Sequence, residues 1–281
     1  MGIGVRVDAA TGHGYRSLSG AVGIPRRFDG ERWMQLCECG RNHVADSGRR
    51  AFFGATAALA LGCAAAGVAA TPAARAADPA ARTTLTPSQA LQLLKEGNDN
   101  YRTDSPFRGV QGRERRVELA RGQAPFCVLV GCSDSRVPPE LLFGRGLGEL
   151  FIIRNAGNTV DTAALGSVEY GVGVLGCPLI VVLGHERCGA VAAAVDLVEK
   201  NTAFPGVIGE MIQPIVPAVL EARRATGGDP LHNAVVANAK RVATRLSAQS
   251  AVLQDAVRAG KLKIVPATYD LDDGDVEFFD G

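Results

Sequence analysis

The chain has 281 residues, of which 47% are hydrophobic and 21% charged, with a formal net charge of +1. That length supports one sizeable domain with a real core. Low aromatic content (5%), abundant Gly and the lack of any repeated period favour a compact α/β domain over a repeat array. Residues 1–76 carry nine Arg and five acidic residues, whereas residues 77–281 carry 21 basic and 24 acidic ones, which gives no electrostatic case for nucleic-acid binding.

The first segment reads as a targeting signal. Ser47-Gly48-Arg49-Arg50-Ala51-Phe52-Phe53 is a twin-arginine-type start, Ala55 to Ala70 is an Ala-rich apolar stretch, and Ala74-Arg75-Ala76 is a small-residue cleavage site. The apolar stretch is short and only mildly hydrophobic for a stable membrane span. The expected location is therefore the periplasm, the cell envelope or the exterior. Ala60-Leu61-Gly62-Cys63 weakly matches a lipoprotein box, so lipidation of Cys63 is the one route to a membrane. Met34 offers an alternative start, and Cys37, Cys39 and His43 fall in the segment expected to be removed. The organisation expected is an extension and signal over 1–76, a Pro/Ala/Thr linker over 77–85 and a single domain over 86–281.

The domain opens with Thr86-Pro87-Ser88-Gln89, a capping-type helix start with Pro in the first turn. Leu91, Leu94 and the residues around Tyr101 give this helix an apolar side, and its position ahead of the sheet suggests an arm toward a partner subunit. A second helix is expected over about 114–121. Apolar runs predict strands at 126–131, 150–154 and 179–183. Residues 160–175 read as a crossover helix and 189–200 as another, with further helical segments over 207–224 and 230–259. Two last strands, 262–265 and 276–279, flank an Asp273-Gly274 turn. The alternation predicts an α/β fold with a mostly parallel central β-sheet, an antiparallel edge, flanking helices and an N-terminal helical arm.

Two polar clusters directly follow buried-strand patterns: Cys132-Ser133-Asp134-Ser135-Arg136 and His185-Glu186-Arg187-Cys188-Gly189. In an open α/β sheet, sites form at the carboxyl ends of strands, so the sequence gap between the clusters need not be a gap in space. Cys132, His185 and Cys188 make a Cys₂His set of the kind that holds a catalytic zinc with one position open. Open zinc lowers the pKa of bound water from about 15.7 towards 7. Two thiolates make the ion less electrophilic than three imidazoles would, so neighbouring residues must help.

Asp134 and Arg136 are placed to do so. A bidentate Arg136 bond would keep Asp134 ionised and off the metal. Released, the carboxylate would become a fourth ligand and close the site. Of the cysteines beyond residue 76, two sit at these ligand positions and two, Cys127 and Cys177, sit in or beside buried apolar segments. No disulfide is therefore expected between Cys132 and Cys188, although an even count in an exported protein usually suggests pairing. His232 and Glu186 are read as ordinary surface groups.

These motifs resemble the β-class carbonic anhydrases. The matching words are Gly131-Cys132-Ser133-Asp134-Ser135-Arg136-Val137, Ile153-Arg154-Asn155-Ala156-Gly157-Asn158, Ser167-Val168-Glu169-Tyr170 and Val181-Val182-Leu183-Gly184-His185-Glu186-Arg187-Cys188-Gly189-Ala190, in family order. The resemblance implies zinc on Cys132, His185 and Cys188, with Asp134 and Arg136 as the catalytic dyad. It implies substrate-lining roles for Gln123, Phe151, Tyr170 and Gly189. The implied reaction is reversible hydration of CO₂ to bicarbonate and a proton, by attack of zinc-bound hydroxide that Asp134 orients. The family's active unit is a homodimer or larger, with the pocket at the subunit interface, so Phe151 and Tyr170 are expected to face the partner's zinc. The same fold also admits CS₂ or COS as substrates, or a non-catalytic zinc-binding role with Asp134 permanently on the metal.

Overall fold

The structure, a computed structural model, describes residues 82–279. The export signal, the Cys63 box, the early Cys and His residues and the first part of the linker lie outside the described residues. Among the described residues, no helix is long and apolar enough to cross a membrane.

Five strands form one sheet: β1 (Cys127–Gly131), β2 (Leu150–Arg154), β3 (Leu179–His185), β4 (Lys263–Tyr269) and β5 (Val276–Phe278). Their spatial order is β2-β1-β3-β4-β5. All neighbours are parallel except β4 and β5. β1 and β3 are buried at every position, as strands covered on both faces must be.

Alternate residues feed two separate cores. Cys127, Leu129, Leu179, Val181 and Leu183 pack with α1 (Pro87–Arg102) and α3 (Pro139–Leu142). Val128, Val130, Ile180 and Val182 pack on the other face, with α4 (Thr162–Glu169), α8 (Pro230–Gln249) and α9 (Ala251–Arg258). The remaining helices are α2 (Arg113–Leu119), α5 (Gly189–Lys200), α6 (Ile208–Ile212) and α7 (Val216–Ala222).

The capping box forms as the sequence predicts. Thr86 Oγ1 accepts from the Gln89 backbone N–H at 3.3 Å, and Gln89 Oε1 accepts from the Thr86 N–H at 2.9 Å. The helix it opens, α1, lies on the chain's own sheet through Ala90, Leu91 and Leu94. Buried Asn98 fastens it there. Its Nδ2 donates to the carbonyls of Leu142 and Gly274, and its Oδ1 accepts from the Val276 N–H at 2.9 Å.

Two expected helices are broken. The 207–224 segment passes through a 3₁₀ turn at Gln213–Ile215, where Pro214 supplies no N–H for an α-helical bond. The 230–259 segment breaks at Ser250, which leaves helical geometry and caps α9 through its side chain, accepting from the Leu253 N–H at 3.2 Å. The crossover after α4 ends in a π-turn over Tyr170–Val174, and α3 was not expected.

The chain winds from β1 to β2 on one side, then returns across β1 to β3 on the other. That reversal opens a crevice at the carboxyl ends of β1 and β3. Gly131 pairs with Leu183, so continuing the register sets Cys132 beside Gly184 and next to His185.

Candidate active site

Cys132 leaves the end of β1, and His185 is the last residue of β3. Cys188 is the N-cap of α5, brought back to the site by a turn in which Arg187 takes the left-handed conformation (φ 50°). A non-glycine residue holds that conformation only when its surroundings fix it. Here the Arg187 guanidinium makes two 2.8 Å bonds to the Asp272 carboxylate on the β4–β5 hairpin, and the Glu186 N–H donates to the Tyr269 carbonyl.

The three donor atoms all lie within 4.8 Å of one another, and the two sulfurs are 4.0 Å apart as free thiols. The His185 ring has no exposed surface. With Nδ1 2.8 Å from the Glu186 carbonyl, Nδ1 carries the hydrogen and Nε2 keeps its lone pair. That Nε2 is buried without a hydrogen-bond partner. An orphaned imidazole nitrogen facing two thiols fits a tetrahedral zinc ion, and the backbone carbonyl on Nδ1 is the usual way such a ligand is oriented.

The sulfurs share charge unequally. The Cys132 thiol is pulled down by its hydrogen bond with Cys188, against the opposing effect of burial, and further by His185 and the N–H groups of Gly157 and Asp134. Cys188 is pushed up by the same bond and by burial.

Asp134 and Arg136 pair as the sequence predicts. Arg136 Nε donates to Oδ1 at 3.0 Å, Nη2 to Oδ2 at 2.8 Å, and the Arg136 backbone N–H to Oδ1 at 2.9 Å. These bonds hold the Asp134 carboxyl well below the usual carboxylate range. Its Oδ2 stands 3.8 Å from His185 Nε2, so the carboxylate borders the space the donor triad surrounds.

The four substrate-lining positions are not gathered there within one chain. Gln123 is exposed in the loop before β1, at the opposite end of that strand from Cys132. Phe151 pairs in register with Val128, which is about 13 Å of strand from Cys132. Its ring packs 6.1 Å from that of Tyr170, and Tyr170 is 43% exposed. Gly189 does sit at the site, at the first position of α5, with open space where a Cβ would stand.

Other residues at the site escaped the sequence reading. Arg154, at the end of β2, donates from Nε to the Cys132 carbonyl at 2.7 Å and from Nη2 to the Asp134 carbonyl at 2.5 Å, clamping the ligand loop. Gly157 donates its N–H to Cys132 Sγ at 3.3 Å. Both fall in the Ile153–Asn158 word that matches the family, but nothing in the sequence gave either of them a role. His232 Nδ1 lies 3.7 Å from Glu186 Oε1, beside the ligand turn.

Comparison with known proteins agrees with this geometry. The family model described as carbonic anhydrase matches residues 127–276. The chain is 40% identical over 188 residues to a protein of Mycobacterium tuberculosis named carbonic anhydrase 2, covering 67% of this chain and 90% of that one. Among solved structures, a β-carbonic anhydrase of Aspergillus fumigatus superposes with a TM-score of 0.54 at 26% identity, covering 69% of this chain and 90% of the other. A tetrameric β-carbonic anhydrase of Sordaria macrospora gives 0.53 at 25% identity, covering 58% and 85%. With this sheet order and this Cys-His-Cys group, the chain belongs to the β-class carbonic anhydrase family.

Proposed function

We propose that the protein catalyses the reversible hydration of CO₂ to bicarbonate and a proton. One observation carries the reading. A buried donor triad with an unpartnered His185 Nε2 stands beside a carboxylate that Arg136 holds ionised and off that triad. Zinc held by Cys132, His185 and Cys188 would supply the Lewis acidity that lowers the pKa of water towards neutrality.

The chain's own residues do the rest. Asp134, fixed through both oxygens, accepts a hydrogen bond from the attacking oxygen and aims its lone pair at the carbon of CO₂. Arg136 keeps that carboxylate from occupying the open position. Arg154 fixes the loop carrying both Cys132 and Asp134 through its two carbonyl contacts. In the reaction a C–O bond forms, one C=O electron pair moves onto oxygen, and a proton leaves to buffer. Gly189 leaves room for the substrate beside Cys188.

The apolar wall is proposed to come from a second copy of the chain. Edge strand β2 is half-buried along all of Leu150–Arg154, and Tyr170, packed on its Phe151, is exposed. A homodimer or larger assembly in which this edge meets its counterpart would bring Gln123, Phe151 and Tyr170 to the partner's donor triad. Export through the twin-arginine signal of residues 47–76 is part of the proposal, as is metal loading before export.

The test is a CO₂-hydration progress curve across pH on protein of measured zinc content. Activity that scales with zinc, and that falls with the metal in Cys188→Ser, is expected. Zinc-replete protein without activity, or full activity in Cys188→Ser, would refute the reading.

A further inference from the structure

A second line of hydrogen bonds runs from Cys132 away from the substrate side. The Gly157 N–H donates to Cys132 Sγ at 3.3 Å, and the Gly157 carbonyl accepts from Asn238 Nδ2 at 2.9 Å. Asn238 stands on α8, across the sheet-end crevice, and is 1% exposed. Gly157 lies in the left-handed region (φ 69°, ψ 25°), and its neighbour Asn158 does too (φ 45°). Glycine takes that conformation freely, whereas Asn158 persists there only where the surroundings hold it. A Cβ on Gly157 would stand 2.6 Å from Ile215 Cδ1 and 3.1 Å from the Ala190 Cβ, so this peptide is packed closely between the ligand loop, α5 and the turn before α7.

The amide at position 238 is otherwise unexplained. The rest of the buried face of α8 is Ala234, Val235, Ala239, Val242, Ala243 and Leu246, all apolar. Asn238 Oδ1 has no partner among the described residues, so this side chain carries a desolvation cost that an apolar residue would avoid. Its orientation is fixed by chemistry, since the flipped amide would set an oxygen against the Gly157 carbonyl. What the amide does is hold the Gly157 carbonyl, and the N–H on the other side of the same Cα touches the Cys132 sulfur.

We infer that Asn238 is a positioning residue for Cys132. By gripping the Gly157 carbonyl it aims the Gly157 N–H at the sulfur and so sets the direction and charge density of that ligand. An N–H···S bond withdraws charge from the sulfur, which offsets part of the electron donation that makes a two-thiolate site a weaker Lewis acid. Groups that orient a ligand in this way typically change metal affinity about 10–100-fold when removed. The inference rests on the reading of Cys132 as a metal ligand.

Cobalt(II) substitution tests it, because the sulfur-to-cobalt charge-transfer band reports the sulfur directly. Asn238→Leu removes the donor, and Asn238→Asp places an acceptor against the carbonyl at nearly the same size. Both are expected to move the band to lower energy and to release metal to a chelator about 10-fold faster. Val242→Ala, one turn along α8, removes packing without touching the hydrogen bonds. It is expected to lower the melting temperature while leaving band and release rate unchanged. Should Asn238→Leu fail to fold, Asn238→Ser, too short to reach Gly157, is read in its place with the same expectation. An unmoved band in the folded Asn238 variants, or a shift that Val242→Ala reproduces, overturns the inference. If the unsubstituted cobalt protein has no charge-transfer band, the metal-ligand reading itself fails and takes this inference with it.

Discussion

Single residues divide into those that act on the reacting atoms and those that hold them. In the proposed reaction Asp134 belongs to the first group, and Asp134→Asn keeps its shape while weakening it as an acceptor. A drop of about 100-fold or more in CO₂ hydration is expected, with zinc content unchanged; near-normal turnover would remove Asp134 from the reaction. Among the described residues, the two cysteines outside the donor triad, Cys127 and Cys177, behave oppositely to Cys132. Burial pushes the Cys177 thiol up to about 12, and burial, reinforced by Cys177, raises Cys127. A raised thiol is protonated and inert over the ordinary range and ionises only as pH climbs toward its shifted value. Iodoacetamide at about pH 8 should therefore leave Cys127 and Cys177 unmodified until the protein unfolds, as read by peptide mass spectrometry. Rapid labelling of Cys177 in folded protein would contradict its burial. Cys132, Asp134, Arg136, His185 and Cys188 were legible in the sequence because each falls within a few residues of another. Arg154, Gly157 and Asn238 could not be given these roles from sequence, since their partners lie 20 or more residues away along the chain and only folding brings them near.

Elements were legible where local chemistry decides them. The Thr86–Gln89 capping box forms as read, and Thr86→Ala should cost about 1 kcal/mol in denaturant unfolding. Where α1 goes was not legible, because an amphipathic helix does not specify which apolar surface it covers. Asn98 supplies that information through three buried hydrogen bonds linking α1 to Leu142 and to the β4–β5 hairpin. Asn98→Leu strands the Gly274 carbonyl and the Val276 N–H. It should destabilise by about 2 kcal/mol or more, with unfolding midpoint as the measure; an unchanged midpoint would show that α1 is held by its leucines alone. The breaks at Pro214 and Ser250 follow the same logic. Proline and a capping serine were visible in the sequence, but an apolar periodicity running past them masked their effect.

At the scale of the whole molecule, the donor triad and the proposed substrate wall lie at different places on one chain. Cys132 stands at the carboxyl end of β1, while Phe151 and Tyr170 pack beside the body of edge strand β2. If each pocket takes its wall from the partner subunit, two dead variants can restore one another. A mixture of Asp134→Asn and Tyr170→Ala subunits, unfolded and reassembled together, would build mixed dimers with one intact site each. About one quarter of wild-type activity is then expected from random pairing. Activity no greater than the sum of the separate variants would place Tyr170 outside the partner's site. What the sequence determined by itself was the strand pattern, the Cys-His-Cys group and the Asp–Arg pair, because apolar periodicity and short-range spacing are properties of neighbours along the chain. Tertiary structure alone decided that β1 and β3 lie side by side, that α1 folds back on its own sheet, and that an amide from α8 reaches the glycine whose N–H touches Cys132. Those depend on strand order and on buried donors finding acceptors, which linear spacing does not encode.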